Sequence, residues 1–551
     1  MTRLRKIIWT TSGLAALQVA LSWNRSVYDD AYITFRYARN LARGLGPVYN
    51  AGDRVEGCTA FLQMALLAPF ARLGVDLRLA AAVIAFACLT AVAAAGARFI
   101  IRAEAAAGEP TAWPWFFALM LVACPPTVYY ALSGLETIWF AAAAFAALLL
   151  AAGEAEADRP PLASALAATV AALLRPDGVV LAGAIGVFWL TCAPRRRLAR
   201  AAVFGAAFAV LYGAYFAWRY SYYGWLLPNT YYAKVDGISL RLTLRGLLYV
   251  ARSTPSMLFP AVLVWLLAQT LHRRLPLALW EKAFLLAIGA QVALAAATGG
   301  DYMPYYRFLQ PAWPLCLLLI WGLSRKLAAD VSPGGRMARW WRLRLSVGGV
   351  VALALAVNIL LWLADFNGLK AMIASSLTRS WERTAEQLKP LLPRDAVVAA
   401  DAIGAAGYIG DLPLIDIMGL TDATIAHLPI ATGKGMAGHE KYSPDYILSR
   451  APDFILTCTM EWPRPAPACL GPRAETDTMR LAPRVREQYV YANHAIPGGY
   501  VGTYLRRDRL GRAGYDGWFA SYQTIGLEDL APTDHDFKGF LRYSPNGPAG
   551  H

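Results

Sequence analysis

Apolar stretches long enough to cross a bilayer recur from Ile7 to Leu363, divided by short loops that hold much of the basic charge. About twenty apolar residues span the hydrocarbon core as a helix. Lipid offers no partner to backbone N–H and C=O groups, so these stretches are restricted to helices that pair their own backbone. The rest of the chain cannot turn them into a soluble core: hydrophobic residues make up 57% of 551 and charged residues only 16%, too few to clothe a water-facing protein of this size. The first stretch, Ile7–Trp23, follows Arg3, Arg5 and Lys6. No persuasive small-residue cleavage site comes after it, so it reads as a retained signal anchor.

A net charge of +15 would suggest nucleic acid for a soluble chain; here it marks topology, and no nucleic-acid partner is expected. Arg195, Arg196, Arg197 and Arg200 share one loop. His272, Arg273 and Arg274 share a second, and Arg325, Lys326, Arg336, Arg339, Arg342 and Arg344 a third. The positive-inside rule puts these loops in the cytoplasm. Spans are then expected near 79–101, 114–131, 137–152, 162–174, 178–193, 199–218, 246–270, 283–298, 308–324 and 345–364, in addition to the first. Residues 60–74 are short for a span and contain Pro69, which suits a juxtamembrane or half-inserted helix. The expected fold is a polytopic α-helical membrane protein of about eleven transmembrane helices over 1–365, N-terminus cytoplasmic, with an extracytoplasmic α/β domain over 366–551. In that tail Ala396–Ala400, Leu412–Met418 and Pro452–Cys458 read as strands, and Ala402–Ile409 as a turn or short helix.

This topology gathers the polar, Gly/Pro-punctuated segments on the external face. They are the Asp29-Asp30 loop, Ser133–Thr137, Arg175–Gly178, Pro228–Lys234 and Gly299–Arg307. Charges so close to apolar segments are costly and point to function. Asp29 and Asp30 could cap the following helix, but one carboxylate suffices for a cap and adjacent anions repel. The same helix sets Arg36, Arg39 and Arg43 on one face, for a phosphate, for lipid headgroups or for interfacial anchoring. Lys234, beside Asn229, offers a point charge for a phosphate, whereas Tyr222, Tyr223, Tyr231 and Tyr232 singly suit an interfacial aromatic belt. Arg307 lies beneath Gly299-Gly300-Asp301 and could bind an anion or snorkel. Glu136, Arg175 and Asp177 stand at helix ends, where turn chemistry competes with catalysis.

Walker A, dinucleotide and His-Glu-x-x-His motifs are missing from the sequence, and the six histidines lack metal-ligand spacing. An activated donor would therefore arrive through the lipid bilayer. Cys88, Cys124, Cys192 and Cys316 lie in apolar segments as buried thiols. Cys458 and Cys469 flank a Pro-rich stretch, where an extracytoplasmic compartment would permit a disulfide.

Asp29-Asp-Ala-Tyr-Ile-Thr-x-Arg-Tyr-Ala, followed by Val55-Glu56-Gly57-x-Thr59, resembles the first external loop of bacterial GT-C glycosyltransferases. Within them it is most similar to the mycobacterial terminal arabinofuranosyltransferase group. Pro228-Asn-Thr-Tyr-Tyr-Ala-Lys234, Gly300-Asp-Tyr-Met-Pro-x-x-Arg307-Phe and Asp416-Ile-Met-Gly-Leu-Thr-Asp422 also resemble that group's motifs, in family order. The resemblance implies an enzyme of the bacterial cytoplasmic membrane with a polyprenyl-phosphate-linked sugar donor, an external glycan acceptor and an essential first-loop aspartate. For arabinose the donor would be decaprenyl-phosphoryl-arabinofuranose.

On that basis Asp29 or Asp30 would be the general base, and the other would orient the acceptor or bind Mg²⁺ or Mn²⁺. Lys234 and Arg307, then Arg36 and Arg175, would hold the donor phosphate. Glu56, Glu136, Asn229, Tyr232 and Asp301 would contact substrate, and Asp401, Asp416 and Asp422 the acceptor. Competing expectations are the same fold using another lipid-linked sugar such as mannose, a flippase for lipid-linked sugars, and a non-catalytic scaffold. A flippase would show inverted repeats and broken mid-membrane helices.

Overall fold

The structure, a computed structural model, describes residues 2–22, 27–108, 110–235, 237, 239–254, 276–330, 366–390, 392–433, 438–456, 483–496, 499–510 and 522–524. The chain divides into two compact units. The first comprises Met1–Asn24, Thr59–Gly224 and Ile238–Met372; the second comprises Arg25–Cys58, Trp225–Gly237 and Ile373–His551. Two segments read from sequence as loops between spans thus fold into one body with the tail.

The first unit is helical. Leu77–Ala107, Thr137–Glu156, Arg197–Tyr223 and Leu279–Ala297 are long and apolar enough to cross a membrane. Trp113–Ala123 and Pro125–Leu132, bent by 49°, make a fifth span if taken together. The bend has a local cause. Cys124 precedes two prolines and adopts extended backbone (φ −72°, ψ 129°), because the proline ring disfavours a helical residue before it and removes a helix hydrogen bond. Leu162–Leu174 and Gly178–Thr191 are apolar but only 13 and 14 residues long. Phe61–Arg72 is a short helix with Pro69 inside it. Among the described residues, four or five helices have the length and composition of a span, against about eleven expected; the chain is a membrane protein. The expected span at 345–364, much of 246–270 and the basic residues at 272–274 and 336–344 lie outside the described residues.

Packing within this unit follows residue size. Thr2–Leu21 lies against Leu77–Ala107 and Trp113–Ala123, tied by the Arg3–Glu104 ion pair (3.2 Å) and by Gln18 Nε2 donating to the Val122 carbonyl (2.8 Å). Thr137–Glu156 and Leu162–Leu174 pack closely and bury Ala144, Ala147, Ala151, Ala165, Ala168 and Ala172; small side chains let helix backbones approach where lipid supplies no hydrophobic drive. Arg197–Tyr223 is the opposite case. Its apolar window is only 6% buried, the least of the four long candidate spans, and Leu198, Val210 and Leu211 are exposed.

The second unit is α/β. Strands β1 (Val398–Ala400), β2 (Leu414–Asp416), β3 (Phe454–Leu456), β4 (Tyr489–Ile496), β5 (Gly499–Arg506) and β6 (Tyr522–Thr524) form one sheet in the order β2-β1-β3-β5-β4-β6. β1 pairs in parallel with β2 and β3, Ala399 standing opposite Ile415 and Ile455. The remaining pairs are antiparallel. β1, β2 and β3 are buried at every position, as the unbroken apolar runs of β1 and β3 require; β2 ends on the buried Asp416. Ile415, Ile417, Met418, Ile447, Ile455, Tyr489 and Tyr504 form the core. The Ile403–Gly410 helix connects β1 to β2.

Candidate functional site

The Asp29–Ala42 helix lies against the Ile403–Gly410 helix within the second unit. The first turn of a helix leaves N–H groups unpaired and the last turn leaves carbonyls; here one helix serves both ends of the other. Asp29 accepts the N–H of Gly404 (3.1 Å) and of Ala405 (2.8 Å). Arg36 donates to the Gly407 carbonyl, and Arg39 to that of Tyr408 (2.6 Å). Arg39 and Arg43 also pair with Asp411 at 2.7 and 3.0 Å. An anion at the N-terminus and cations at the C-terminus match the helix dipole.

Glycine makes this approach feasible. A Cβ at position 404 would fall 2.0 Å from the Asp29 carbonyl oxygen, and one at 407 would fall 1.8 Å from the Tyr49 hydroxyl. That hydroxyl donates to the Ile403 carbonyl at 2.6 Å. Arg36 further donates to the Tyr49 carbonyl (2.8 Å), the Leu412 carbonyl (2.8 Å) and Asn50 Oδ1 (3.2 Å). Its guanidinium is committed to carbonyl acceptors.

The two aspartates differ sharply. Asp29 is buried, and burial pushes its pKa up to about 7 against the two backbone hydrogen bonds, with the Asp30 and Asp401 charges adding to the rise. Asp30 is half-buried and makes no hydrogen bond or ion pair among the described residues.

Two separated motifs converge on a third, the Asp416–Asp422 turn. Asp416 is buried and accepts the N–H groups of Met418 (2.9 Å) and Thr421 (2.7 Å) and the Thr421 hydroxyl (3.2 Å); burial pushes its pKa up to about 6. Asn229, also buried, donates from Nδ2 to the carbonyls of Gly419 (2.8 Å) and Leu420 (3.0 Å). Gly57 presses on the same place, since a Cβ there would lie 2.5 Å from Thr421 Cγ2 and 2.9 Å from the Leu420 carbonyl oxygen. The Gly57 N–H donates to Tyr37 Oη at 2.9 Å, and that hydroxyl donates to the Val55 carbonyl at 2.6 Å, with Glu56 buried between.

Asp422 caps the Ala423–Ala426 helix through the Ile425 N–H (3.1 Å) and accepts the Tyr446 hydroxyl (2.9 Å). Asp401 accepts the N–H of Ala402 at 2.8 Å. Tyr232 and Trp225 contact the His427 ring, with centroids 4.3 and 3.9 Å from it. The stem of Lys234 runs past Gly438 (φ 79°), whose Cβ would stand 3.1 Å from Lys234 Cε. Of the expected acceptor contacts, Asp416 and Asp422 are thus occupied in shaping this turn. His427, Tyr49, Gly404 and Gly407 join the assembly without having been singled out by the sequence.

The first unit holds a separate charged cluster. Arg175 pairs with Glu136 (3.0 Å) and Asp177 (2.8 Å) and lies near the rings of Phe140 and Phe308, its Cζ 5.4 and 5.3 Å from their centroids. Arg307 pairs with Asp301 at 3.1 Å. The Gly299–Arg307 segment is tightly folded: Gly299, Gly300, Tyr305 and Tyr306 all have positive φ (82°, 67°, 56° and 53°). For the two tyrosines that backbone costs on the order of 1–3 kcal/mol each, a strain found most often at functional sites.

Among the described residues, His, Cys, Asp and Glu form no group of three or more placed to hold a metal ion. Asp29 directs each of its oxygens at a backbone N–H, which occupies two of the carboxylate's acceptor sites. Cys458 and Cys469 lie outside the described residues.

Residues 371–524 match a family described as a domain of unknown function (DUF8728), a range that begins within two residues of the second unit's tail segment. The chain is 28% identical over 244 residues to the terminal beta-(1->2)-arabinofuranosyltransferase of Mycobacterium tuberculosis, covering 42% of this chain and 38% of that protein. It is 32% identical over 257 residues to the protein of the same name from Corynebacterium glutamicum, covering 41% and 36%. The chain matches little more than a third of the length of either relative. Within that reach, it resembles the terminal arabinofuranosyltransferases.

Proposed function

We propose that this chain is a membrane glycosyltransferase that moves D-arabinofuranose from a polyprenyl-phosphate donor to an extracytoplasmic glycan. The observation that carries the reading is the convergence of the first-loop Val-Glu-Gly segment and the Asn229 segment on the Asp416–Asp422 turn. Three motifs that resemble one enzyme group, far apart in sequence, support one another in a single unit. In this reading the second unit and the Gly299–Arg307 segment face the outside.

Asp30 is the general base. It has no hydrogen-bond or ion-pair partner among the described residues, whereas Asp29 is occupied at the neighbouring helix and acts by positioning. Asp30 takes the proton of the acceptor hydroxyl as that oxygen bonds to the anomeric carbon. The bond from that carbon to the phosphate oxygen breaks, and the lipid phosphate departs with the electron pair. A positioned base contributes about 10²–10⁴-fold. Lys234 neutralises the leaving phosphate as a compact charge; Arg36 is not given that task in this reading, because its guanidinium already donates to carbonyl acceptors. Arg175 and Arg307 meet three carboxylates, Glu136, Asp177 and Asp301, so their own charges are already balanced.

Purified protein should transfer arabinose from synthetic polyprenyl-phosphoryl-arabinofuranose to an oligo-arabinoside, and folded Asp30→Asn should not. Transfer from a mannose donor alone would keep the reaction class and overturn the sugar. Equal transfer by wild type and Asp30→Asn would overturn the mechanism.

A further inference from the structure

The Leu240–Ser253 helix of the first unit presents three different faces. Leu242, Gly246, Tyr249 and Ser253 are buried. Gly246 allows close contact, since a Cβ there would lie 2.2 Å from the Ala296 carbonyl oxygen, and Tyr249 covers Gly300 while accepting the Phe308 N–H (3.3 Å). Leu240, Leu244, Leu247 and Leu248 are exposed. At about 100° per residue they share one sector, on the side away from the packed face. Arg241, Arg245 and Arg252 share a second sector, between the leucines and the packed face.

That order is unusual for a helix merely floating at a membrane surface. Such a helix sets its cations toward water, opposite its apolar stripe. Here the face opposite the leucines is packed on protein, and the arginines border the leucines directly. Arg245 donates from Nε to the Gly299 carbonyl at 3.2 Å, which brings its guanidinium to the strained Gly299–Arg307 segment. Arg241 and Arg252 are exposed and have no carboxylate partner among the described residues.

We infer that this helix is the docking site for an isoprenoid phosphate, with the chain along the leucine stripe and the phosphate on Arg241 and Arg245. The inference rests on the proposed function for the choice of lipid, and adds a binding site for it that lies wholly within the first unit. Charge and apolarity both fit. Two guanidiniums match a phosphate monoester or diester through paired N–H donors, and the stripe from Leu240 to Leu248 offers about 12 Å of helix length to the chain.

Binding of decaprenyl phosphate, measured by native mass spectrometry of the full chain in phosphatidylcholine nanodiscs, tests this directly. Wild type should retain the lipid. Arg241→Gln/Arg245→Gln should bind at least about tenfold more weakly, and Leu244→Ser/Leu248→Ser should weaken binding while leaving the arginines in place. Undiminished binding in the arginine variant, in folded protein, would overturn the inference. So would equal displacement by the same mole fraction of phosphatidylglycerol, which would mark a general headgroup surface. Binding can be separated from the proposed reaction. A protein that binds the lipid through these arginines but transfers no sugar keeps this site and removes the enzyme reading; one that transfers sugar with unchanged donor KM in the arginine variant does the reverse.

Discussion

Asp29 and Ala405 stand 376 positions apart and are joined by a 2.8 Å hydrogen bond, the Ala405 N–H donating to the Asp29 carboxylate. This bond separates the roles of two adjacent aspartates that look equivalent in sequence. Asp29 holds a helix of the tail, and Asp30 makes no hydrogen bond or ion pair among the described residues.

Asp30→Asn should therefore lower turnover by at least about 10²-fold with little change in thermal unfolding. Asp29→Asn should lower the unfolding midpoint as well, because its amide NH₂ would face a backbone N–H that now meets a carboxylate oxygen. Paired measurements of transfer rate and unfolding midpoint distinguish the two. Equal midpoints for both variants would show that Asp29 is not an anchor.

Gly404→Ala and Gly407→Ala should each destabilise the second unit, by about 1–3 kcal/mol if the helix shifts to admit the methyl group. Gly410→Ala is the control, since nothing lies within 4 Å of a Cβ there and the same helix receives the substitution. Differential scanning fluorimetry of the three variants reads the contrast.

Stability should depend on pH in a stated direction. Burial raises the pKa of Asp29 to about 7 and that of Asp416 to about 6. Between the ordinary carboxylate range and those values the folded chain holds more protons than the unfolded one. Stability contributed by these groups therefore falls as pH rises through that window. The unfolding midpoint should be higher near about pH 5 than near about pH 8, and Asp29→Asn/Asp416→Asn should flatten that slope while lowering the midpoint overall.

Asn229→Asp should be worse than Asn229→Ala. Alanine removes the donors and leaves the Gly419 and Leu420 carbonyls unpaired, at a cost of about 1–3 kcal/mol. Aspartate turns a buried carboxylate against those same carbonyls. Limited proteolysis within 225–237 should increase in the order wild type, alanine, aspartate.

Sequence periodicity is strongest where an element satisfies itself. The spans and the strands β1 and β3 announce themselves through unbroken apolar runs, and Pro69 and Pro125 mark where helices shorten or bend. The β4–β5 hairpin was missed although Tyr-Val-Tyr and Tyr-Val-Gly-Thr-Tyr carry the alternation of strands, because polar and small residues dilute it. The arginine face of the first-loop helix was visible, but not its partner. A row of cations looks the same whether it waits for a phosphate or for the carbonyls of Gly407, Tyr408 and Leu412. Gly404 and Gly407 gave no signal by themselves, since only the neighbour that crowds a glycine reveals why no side chain stands there. The expectation of Asp416 and Asp422 as acceptor contacts comes with the resemblance; the turn geometry that occupies them depends on Thr421 and Ile425, which spacing alone does not single out.

The clasp around the Ile403–Gly410 helix also sets an order of events during biogenesis. A ribosome adding roughly 5–20 residues per second makes Asp29 and Arg36 some 20–75 s before their helical partner exists. Throughout that interval the nascent first loop carries a carboxylate whose backbone donors are still unmade and a guanidinium that lacks two of its acceptors, the Gly407 and Leu412 carbonyls. A chain stopped short of the second unit's sheet would lose the very groups that hold its earliest loop in shape, so damage late in the message would be felt at the beginning of the protein.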